Sequence, residues 1–180
     1  MSRETYVIAD THFGHRGVTQ FLRADGTKLR PWDCPDEMDE ALIERWNSVV
    51  RPQDRVYFLG DVAINRRAVA TVARLNGRKV LGKGNHDIFA LKDYVPYFED
   101  IRAYIVKPFG DNKRLIMSHI PIHERELDRF SLNIHGHLHS DVVMKGHLPD
   151  PRYVCVSVEQ TNYTPITLEE AIARSGVEGL

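Results

Sequence analysis

The chain has 180 residues, of which 42% are hydrophobic, and this predicts one domain over 1–180 with no room for a second domain of ordinary size. Its 24 Lys and Arg residues balance 25 Asp and Glu residues, so the formal net charge of -1 gives no global reason for tight binding to nucleic acid or to an anionic membrane. No apolar run approaches membrane-spanning length, and the first run is too short for a signal-peptide core. Cys34 and Cys155 are far apart, which favours reduced thiols. We therefore expect a soluble cytoplasmic protein.

Short apolar runs that are rich in Val, Ile, Leu or aromatic residues predict the β-strands. They cover residues 5–9, 55–59, 78–81, 103–106, 114–117, 131–134 and 153–158. The first three alternate with helical patterns, which predicts parallel pairing through crossover helices. The later runs are joined by short turns such as Gly110-Asp111-Asn112, which predicts hairpins.

Three segments show helical patterns. Apolar residues recur at helical spacing from Met38 to Val49, which predicts an amphipathic helix over 36–50. A second pattern, over 66–75, ends at a glycine that can adopt the left-handed conformation typical of a helix end. A last helix, over 168–175, follows a Thr and a Glu with the spacing of a capping box.

Polar residues that can bind metals follow the predicted strands, directly where the strands end. They are Asp10, His12, Asp61, Asn85, His119, His137 and His139. Because the carboxyl ends of strands in an open α/β sheet share one edge, we expect these side chains to converge in one crevice. Oxygen and imidazole ligands without a thiolate suit Mn, Fe, Zn or Ni better than a soft metal or calcium. This number of ligands fits two ions about 3.5–4 Å apart with one bridging carboxylate.

Each of these residues alone also has a structural explanation. Asp10 or Asp61 in isolation is typical of a helix cap or a turn, and a lone His119 is typical of a core or rim position. The metal-site interpretation depends on the coincidence of all the groups at strand ends.

Five motifs in chain order resemble the motif series of the calcineurin-like metallophosphoesterases. They are Asp10-Thr11-His12, Gly60-Asp61, Gly84-Asn85-His86-Asp87, His119 and Gly136-His137-Leu138-His139, and they span residues 10 to 139. The order of the motifs makes the resemblance specific. It implies an α/β fold, a four-layer α-β-β-α sandwich of two mixed β-sheets flanked by helices, with a dinuclear metal centre at the strand ends.

The resemblance also implies a role for each residue of the motifs. One ion would be bound by Asp10, His12 and His139. The other would be bound by Asn85, His119 and His137, with Asp61 as the bridge between the two ions. His86 would be the catalytic residue that binds no metal, and Asp87 would orient His86 or cap the turn.

The activity implied by the resemblance is metal-dependent hydrolysis of a phosphate ester. Two divalent ions, most readily Mn, would polarise the phosphoryl oxygens and lower the pKa of a bound water, giving a hydroxide for in-line attack at phosphorus. His86 would stabilise the developing charge or protonate the leaving oxygen. The motif loops hold few basic residues for the second charge of a monoester, so we expect small phosphodiesters, including nucleotides, as substrates.

Alternatives to a phosphodiesterase stay open at this point. They are a phosphomonoesterase or a single-domain nuclease with the same centre, and a non-catalytic binding scaffold. The nuclease alternative leaves nucleic acid open as a partner. His15, His123 and Arg125 are candidate substrate contacts, with solvated loop positions as their structural explanation. The resemblance is closest to small bacterial or phage-type phosphoesterases, because the chain leaves no residues for a capping domain.

Overall fold

Two β-sheets pack face to face in the computed structural model of this chain, which describes residues 3–110 and 112–177. The strands of the first sheet are β1 (Thr5–Ile8), β2 (Arg55–Phe58), β3 (Arg78–Gly82), β4 (Asp100–Arg102) and β11 (Ile166–Thr167), in the order β11-β1-β2-β3-β4. Those of the second are β5 (Tyr104–Phe109), β6 (Lys113–Ser118), β7 (Leu132–His135) and β10 (Tyr153–Cys155), in the order β10-β7-β6-β5. Two further strands, β8 (Met144–Lys145) and β9 (Leu148–Pro149), form a separate hairpin.

Strand pairing confirms the parallel prediction for the first part of the chain, and it confirms the hairpin prediction for the second part only between β5 and β6. Strands β1 to β4 pair in parallel, and β11 adds antiparallel to β1. The predicted hairpin between β5 and β6 is present, although Asp111 of its turn lies outside the described residues. The expectation of further hairpins was wrong, because β6, β7 and β10 pair in parallel. The segment 119–131 between β6 and β7 is long enough for the crossover that parallel pairing requires.

Helix α1 (Pro35–Val49) covers the outer face of the first sheet. Proline at its first position suits a helix start, because the missing N–H has no intrahelical partner there. Its buried side chains, such as Met38 and Trp46, pack against Ile8 and Phe58 of the sheet. The predicted amphipathic helix is therefore confirmed within one residue at each end.

The second predicted helix, over 66–75, is a 3-10 helix at Ala68–Arg74 instead of an α-helix. Its buried residues, Val69 and Val72, are three apart, which matches the three residues per turn of a 3-10 helix. β-Branched residues in this short segment also lower its α-helical propensity. The other 3-10 helices of the described chain are Gly17–Thr19, Leu91–Asp93, Glu124–Asp128 and Val158–Gln160.

The core between the two sheets contains residues such as Val7 and Leu59 from the first sheet and Met117 and Ile134 from the second. Since the first sheet is covered on its other face by α1, its strands bury both faces and consist of nearly continuous apolar runs. Helix α2 (Leu168–Ala173) adds Ile172 to the same core. The hydroxyl of Thr167 accepts a hydrogen bond from the Glu170 backbone N–H at 3.0 Å, which confirms the predicted start of this helix. The helix ends at Ala173, two residues earlier than predicted.

The α/β sandwich is confirmed, but helices are few. The predicted fourth layer has helices over the outer face of the second sheet, whereas in the described chain the segment between β6 and β7 forms only the 3-10 helix Glu124–Asp128. Since Leu132 and Ile134 face the inter-sheet core, Asn133 and His135 point to this outer face. Both are buried and bonded locally, with Asn133 Nδ2 donating to the Ile116 carbonyl at 3.1 Å and His135 Nδ1 to the Gly136 carbonyl at 2.8 Å. In the part of the chain that the structure describes, no helix is long and apolar enough to cross a membrane.

Candidate metal centre

The predicted ligands meet at the carboxyl ends of the strands in two groups. The first ligand group is Asp10, His12 and His139, and the second ligand group is Asp61, His119 and His137. Within each group the ligand atoms lie within 4.8 Å of one another. The structure thus brings together residues that are far apart in sequence, as the strand-end argument predicts.

Asp61 lies between the two ligand groups. Its Oδ2 atom is 3.3 Å from His119 Nε2 in its own group and 3.5 Å from His12 Nε2 in the other. Asn85 joins the second ligand group, because its Oδ1 atom is 2.8 Å from His119 Nε2. A carboxylate that reaches both groups is the arrangement that a bridged pair of cations needs.

The hydrogen bonding of the site fits a cation. Asp10 is 0% exposed and His12 is 2% exposed, yet Asp10 Oδ1 and His12 Nε2 have no hydrogen-bond partner among the described residues. A buried polar atom without a partner is unfavourable by about 1–3 kcal/mol, so native proteins rarely keep one without a reason. Carboxylate, amide and imidazole donors suit Mn, Fe, Zn or Ni.

The backbone is held in an uncommon conformation at five of the candidate ligands. Their φ angles are 60° at Asp10, 49° at His12, 54° at Asp61, 71° at His137 and 52° at His139. Residues other than glycine rarely adopt this left-handed region, and such residues cluster at functional sites. The turns after the strands therefore orient the ligands toward the crevice, although the left-handed conformation is energetically unfavourable for these residues.

Two glycines allow the ligand loops to approach each other. A Cβ atom at Gly84 would lie 2.5 Å from the backbone nitrogen of Asp61, and one at Gly136 would lie 2.6 Å from Asp10 Oδ2. Real Cβ atoms are essentially never this close to another heavy atom. Both positions therefore require glycine, because any side chain would displace a candidate ligand.

The protonation of the ligands follows from burial and from their neighbours. Burial tends to raise the pKa of Asp61, but hydrogen bonding with His119 and the charges nearby hold it at about 2. Burial raises the pKa of Asp10 to about 6 despite the neighbouring histidines. Burial also lowers the pKa of His12, which keeps its imidazole neutral as metal binding requires.

His119 is oriented by a backbone contact. Its Nδ1 donates a hydrogen bond to the carbonyl oxygen of Leu59 at 2.8 Å. Burial tends to lower the pKa of His119, but the hydrogen bond from Nε2 to Asp61 raises it. Loss of this proton to make way for a cation would leave the Nε2 lone pair directed toward Asp61 and Asn85. Partners of this kind fix the tautomer and the direction of metal-binding histidines.

Three polar residues behind the first ligand group were missed by the sequence analysis. Glu159 Oε1 lies 3.1 Å from His139 Nδ1, and it accepts a hydrogen bond from Arg30 Nε at 2.8 Å. Ser157 donates to Asp10 Oδ2 at 2.7 Å. Ser157 and Glu159 stand at the end of the run 153–158, so the rule that found the ligands also applies to them.

Arg30 has no such signal in the sequence. Its side chain is fully buried and also donates to the backbone carbonyls of Asp10 at 2.5 Å and Thr11 at 2.7 Å. Its place beside the ligand loop follows from a contact between residues 20 positions apart.

His86 and Asp87 have different surroundings. The His86 side chain is exposed, with its ring centroid 5.3 Å from that of His12, and its backbone N–H donates to Asp61 Oδ1 at 2.8 Å. Asp87 is buried and accepts hydrogen bonds from the backbone N–H groups of Gly84, Asp61 and Val62 at 2.8, 2.9 and 3.0 Å. Of the two roles predicted for Asp87, the contacts show turn capping.

The candidate substrate contacts lie at different places. The His15 ring is beside the first ligand group, with its centroid 5.5 Å from that of His12, and its Nδ1 accepts a hydrogen bond from the Gly17 N–H at 2.9 Å. His123 and Arg125 are exposed, and His123 Nδ1 accepts from the Arg125 N–H at 3.2 Å at the start of a 3-10 helix. Contact of these three residues with a substrate stays a prediction.

Fold and site together define an α/β sandwich with a candidate dinuclear metal centre at the carboxyl ends of its strands. The chain matches no protein-family model. It is 32% identical over 173 residues to Uncharacterized protein MJ1445 of Methanocaldococcus jannaschii, an alignment that covers 93% of this chain and 88% of the relative, so it belongs to the same family as MJ1445.

Two further similarities extend over most of the chain. The Gene 66 protein of Mycobacterium phage L5 is 25% identical over 175 residues, which covers 80% of this chain and 81% of the phage protein. The crystal structure of AQ665 from Aquifex aeolicus, a protein of unknown function, superposes with a TM-score of 0.66 at 27% identity. That similarity covers 94% of this chain and 97% of AQ665.

Proposed function

We propose that this protein is a metal-dependent phosphoesterase that hydrolyses phosphodiesters of nucleotides or of other small molecules. The observation that carries the proposal is the position of Asp61, whose carboxylate lies within 3.5 Å of imidazole nitrogens from both ligand groups. The unpartnered buried atoms of Asp10 and His12 support it, because a cation would satisfy them.

The ligand residues divide the work of holding two cations. The first ligand group would hold one ion, and the second ligand group together with Asn85 would hold the other, with the Asp61 carboxylate within reach of both. Two divalent ions, most readily Mn, supply Lewis-acid activation of the phosphate ester and of water. The Ser157 hydroxyl and the Leu59 backbone carbonyl hold Asp10 and His119 in place by hydrogen bonds, which would orient both side chains for metal binding.

His86 acts on the substrate. Its backbone N–H holds Asp61, while its imidazole is exposed next to His12 at the mouth of the crevice. From there the ring would stabilise the charge that develops at phosphorus or donate a proton to the leaving oxygen. Because Asp87 clamps the turn through three backbone N–H groups, the position of His86 is set before substrate binds.

The surroundings of the site favour diesters over monoesters. A monoester carries a second negative charge, which Arg or Lys side chains commonly bind. Arg30 lies behind the first ligand group, but its guanidinium donates to Glu159 and to backbone carbonyls and is fully buried. It is therefore not free to bind a phosphoryl oxygen.

The test is hydrolysis of matched esters by chelator-treated protein to which Mn is added back. We expect turnover only with metal, and a higher kcat/KM for bis(p-nitrophenyl) phosphate and a cyclic nucleotide than for p-nitrophenyl phosphate. A monoester that is cleaved ten times more efficiently than both diesters would replace the diesterase with a phosphomonoesterase. Efficient cleavage of single-stranded DNA would indicate a nuclease. Metal binding without turnover of any ester would indicate a binding scaffold.

A further inference from the structure

An open groove lies beside the second ligand group, on the outer face of the second sheet. It has a volume of about 360 Å³, and its floor and walls include Asn85 and His119 together with Tyr104, Ile120 and Ile122. We call it the Tyr104 groove. Asn85 and His119 belong to both the groove and the candidate metal centre. A ligand in the groove would therefore be adjacent to an ion held by these two residues.

The walls of the Tyr104 groove are apolar and exposed. Tyr104 is 56% exposed and Ile120 is 52% exposed. Exposure of such large apolar side chains to water is unfavourable. Tyr104 lies on β5, at the edge of the second sheet and opposite Ser118 of β6. Within the described chain its ring stacks on no other aromatic ring. Exposed apolar surface next to convergent polar groups is typical of a ligand site.

The loop that carries Ile120 and Ile122 is held by hydrogen bonds. The Ser118 hydroxyl donates to the Ile120 carbonyl at 2.8 Å, and the Tyr153 hydroxyl donates to the Ile122 carbonyl at 2.9 Å. The buried Asn133 accepts from the Ile122 N–H at 3.0 Å. The groove is therefore formed in advance, so a ligand does not have to order the loop on binding.

These contacts point to a flat, apolar occupant. A nucleobase has two apolar faces that stack on an aromatic ring, and its polar edges stay in water in an open groove. The volume of about 360 Å³ is near the lower end of the range for small-molecule sites, which suits a base better than a long acyl chain. Lys83 also lines the groove.

We propose that the Tyr104 groove binds the base of a nucleotide ester whose phosphate lies at the metal centre. The inference rests on the proposed function and gives it a substrate class, namely phosphodiesters in which one substituent is a nucleoside. Tyr104 supplies the stacking surface, and Ile120 and Ile122 form the opposite wall.

The kinetic test uses esters with the same leaving group. They are thymidine 5'-(p-nitrophenyl phosphate), methyl p-nitrophenyl phosphate and octyl p-nitrophenyl phosphate, assayed with the Mn-loaded protein. We expect kcat/KM to be about 5- to 140-fold higher for the thymidine ester than for the methyl ester, which is the range that base–aromatic stacking contributes. Tyr104→Ala should remove most of this preference, and Tyr104→Phe should keep it because the ring remains. Val95→Ala, at a residue that is 58% exposed and outside the groove, is the control and should change neither rate.

A binding test separates this inference from the proposed function. Calorimetry should show tighter binding of adenosine 5'-monophosphate than of ribose 5-phosphate, and Tyr104→Ala should abolish the difference while Tyr104→Phe retains it. If no ester is cleaved but this difference is found, the phosphoesterase proposal fails and the groove assignment stands. If the esters are cleaved but Tyr104→Ala lowers all rates equally, the groove assignment is wrong. A preference for the octyl ester would also overturn it, because an alkyl chain would then be the occupant.

Discussion

Glu159 Oε1 lies 3.1 Å from Nδ1 of His139, and this contact leaves Nε2 as the ring nitrogen available to a cation. Arg30 holds the same carboxylate oxygen from the other side at 2.8 Å. Burial tends to raise the pKa of Glu159, but the Arg30 guanidinium and His139 hold it at about 2. A charged carboxylate behind a metal-binding histidine fixes the tautomer and the orientation of the ring.

Glu159→Gln should weaken metal binding at the first ligand group. The amide keeps the size of the side chain but loses the charge that orients His139, and changes of this kind lower metal affinity by about 10- to 100-fold. Calorimetric titration of chelator-treated protein with Mn measures the effect. Glu169→Gln, at an exposed position of α2, is the matched control and should bind Mn like the wild type. Equal affinities for all three proteins would remove Glu159 from the site.

Asp61→Asn should lower metal occupancy at both ligand groups, because its carboxylate lies near imidazoles of each. His139→Ala, by contrast, should lower occupancy mainly at the first ligand group, where His139 lies. Metal analysis of the purified proteins, with anomalous scattering from crystals, distinguishes the two patterns. Asp141→Asn, at an exposed position, serves as the control. Two fully occupied ions in Asp61→Asn would contradict the bridging assignment.

His86→Ala should retain both metals and lower turnover by about 10²- to 10⁴-fold, the usual contribution of a positioned acid or base. The metals are retained because the contact of residue 86 with Asp61 is made by its backbone N–H. Steady-state kinetics and metal analysis on the same sample give both values. The exposed His147 provides the control variant, His147→Ala, which should match the wild type. Wild-type turnover in His86→Ala would exclude the proposed role.

His135 should make the fold acid-sensitive. Burial lowers its pKa to about 4 from the ordinary value of 6.5. As the pH falls below 6.5, the unfolded chain therefore takes up a proton that the folded chain excludes, and stability declines until the pH reaches the folded-state pKa. Between pH 7 and pH 5 this single group should lower the free energy of unfolding by about 2 kcal/mol.

Urea unfolding at both pH values, with chelator present, measures this contribution. In His135→Gln the loss of stability between pH 7 and pH 5 should be smaller than in the wild type by about 2 kcal/mol. His147→Gln, at an exposed residue, should lose as much as the wild type. An undiminished loss in His135→Gln would show that His135 is not the group that titrates.

Local sequence pattern determined α1, the positions of the candidate ligands and seven of the strands. It did not predict β4, β8, β9 and β11, which have only two or three residues each. Apolar runs and helical periodicity show which faces of an element are buried. Each segment contains this pattern in its own residues, so it can be read without knowing the rest of the fold. Asp10 and Asp61 could be placed together because strand ends in one α/β sheet share an edge, whereas His119 follows β6 of the second sheet and meets them only because the two sheets pack together. The start of α2 was equally local, since Thr167 and Glu170 are three residues apart.

Only the tertiary structure decided the direction of the later strand pairs and the residues behind the ligands. The parallel pairing of β6 with β7 depends on the path of the segment 119–131, which no local pattern specifies. Arg30 and Glu159 form a buried ion pair across 129 positions of the chain, and although Glu159 follows a predicted strand, no sequence pattern indicates that Arg30 is its partner. Such contacts arise where separate segments close on one another, because a buried charge must find its partner there. Periodicity within a segment reports which face is buried, but not which residue of a distant segment lies against it.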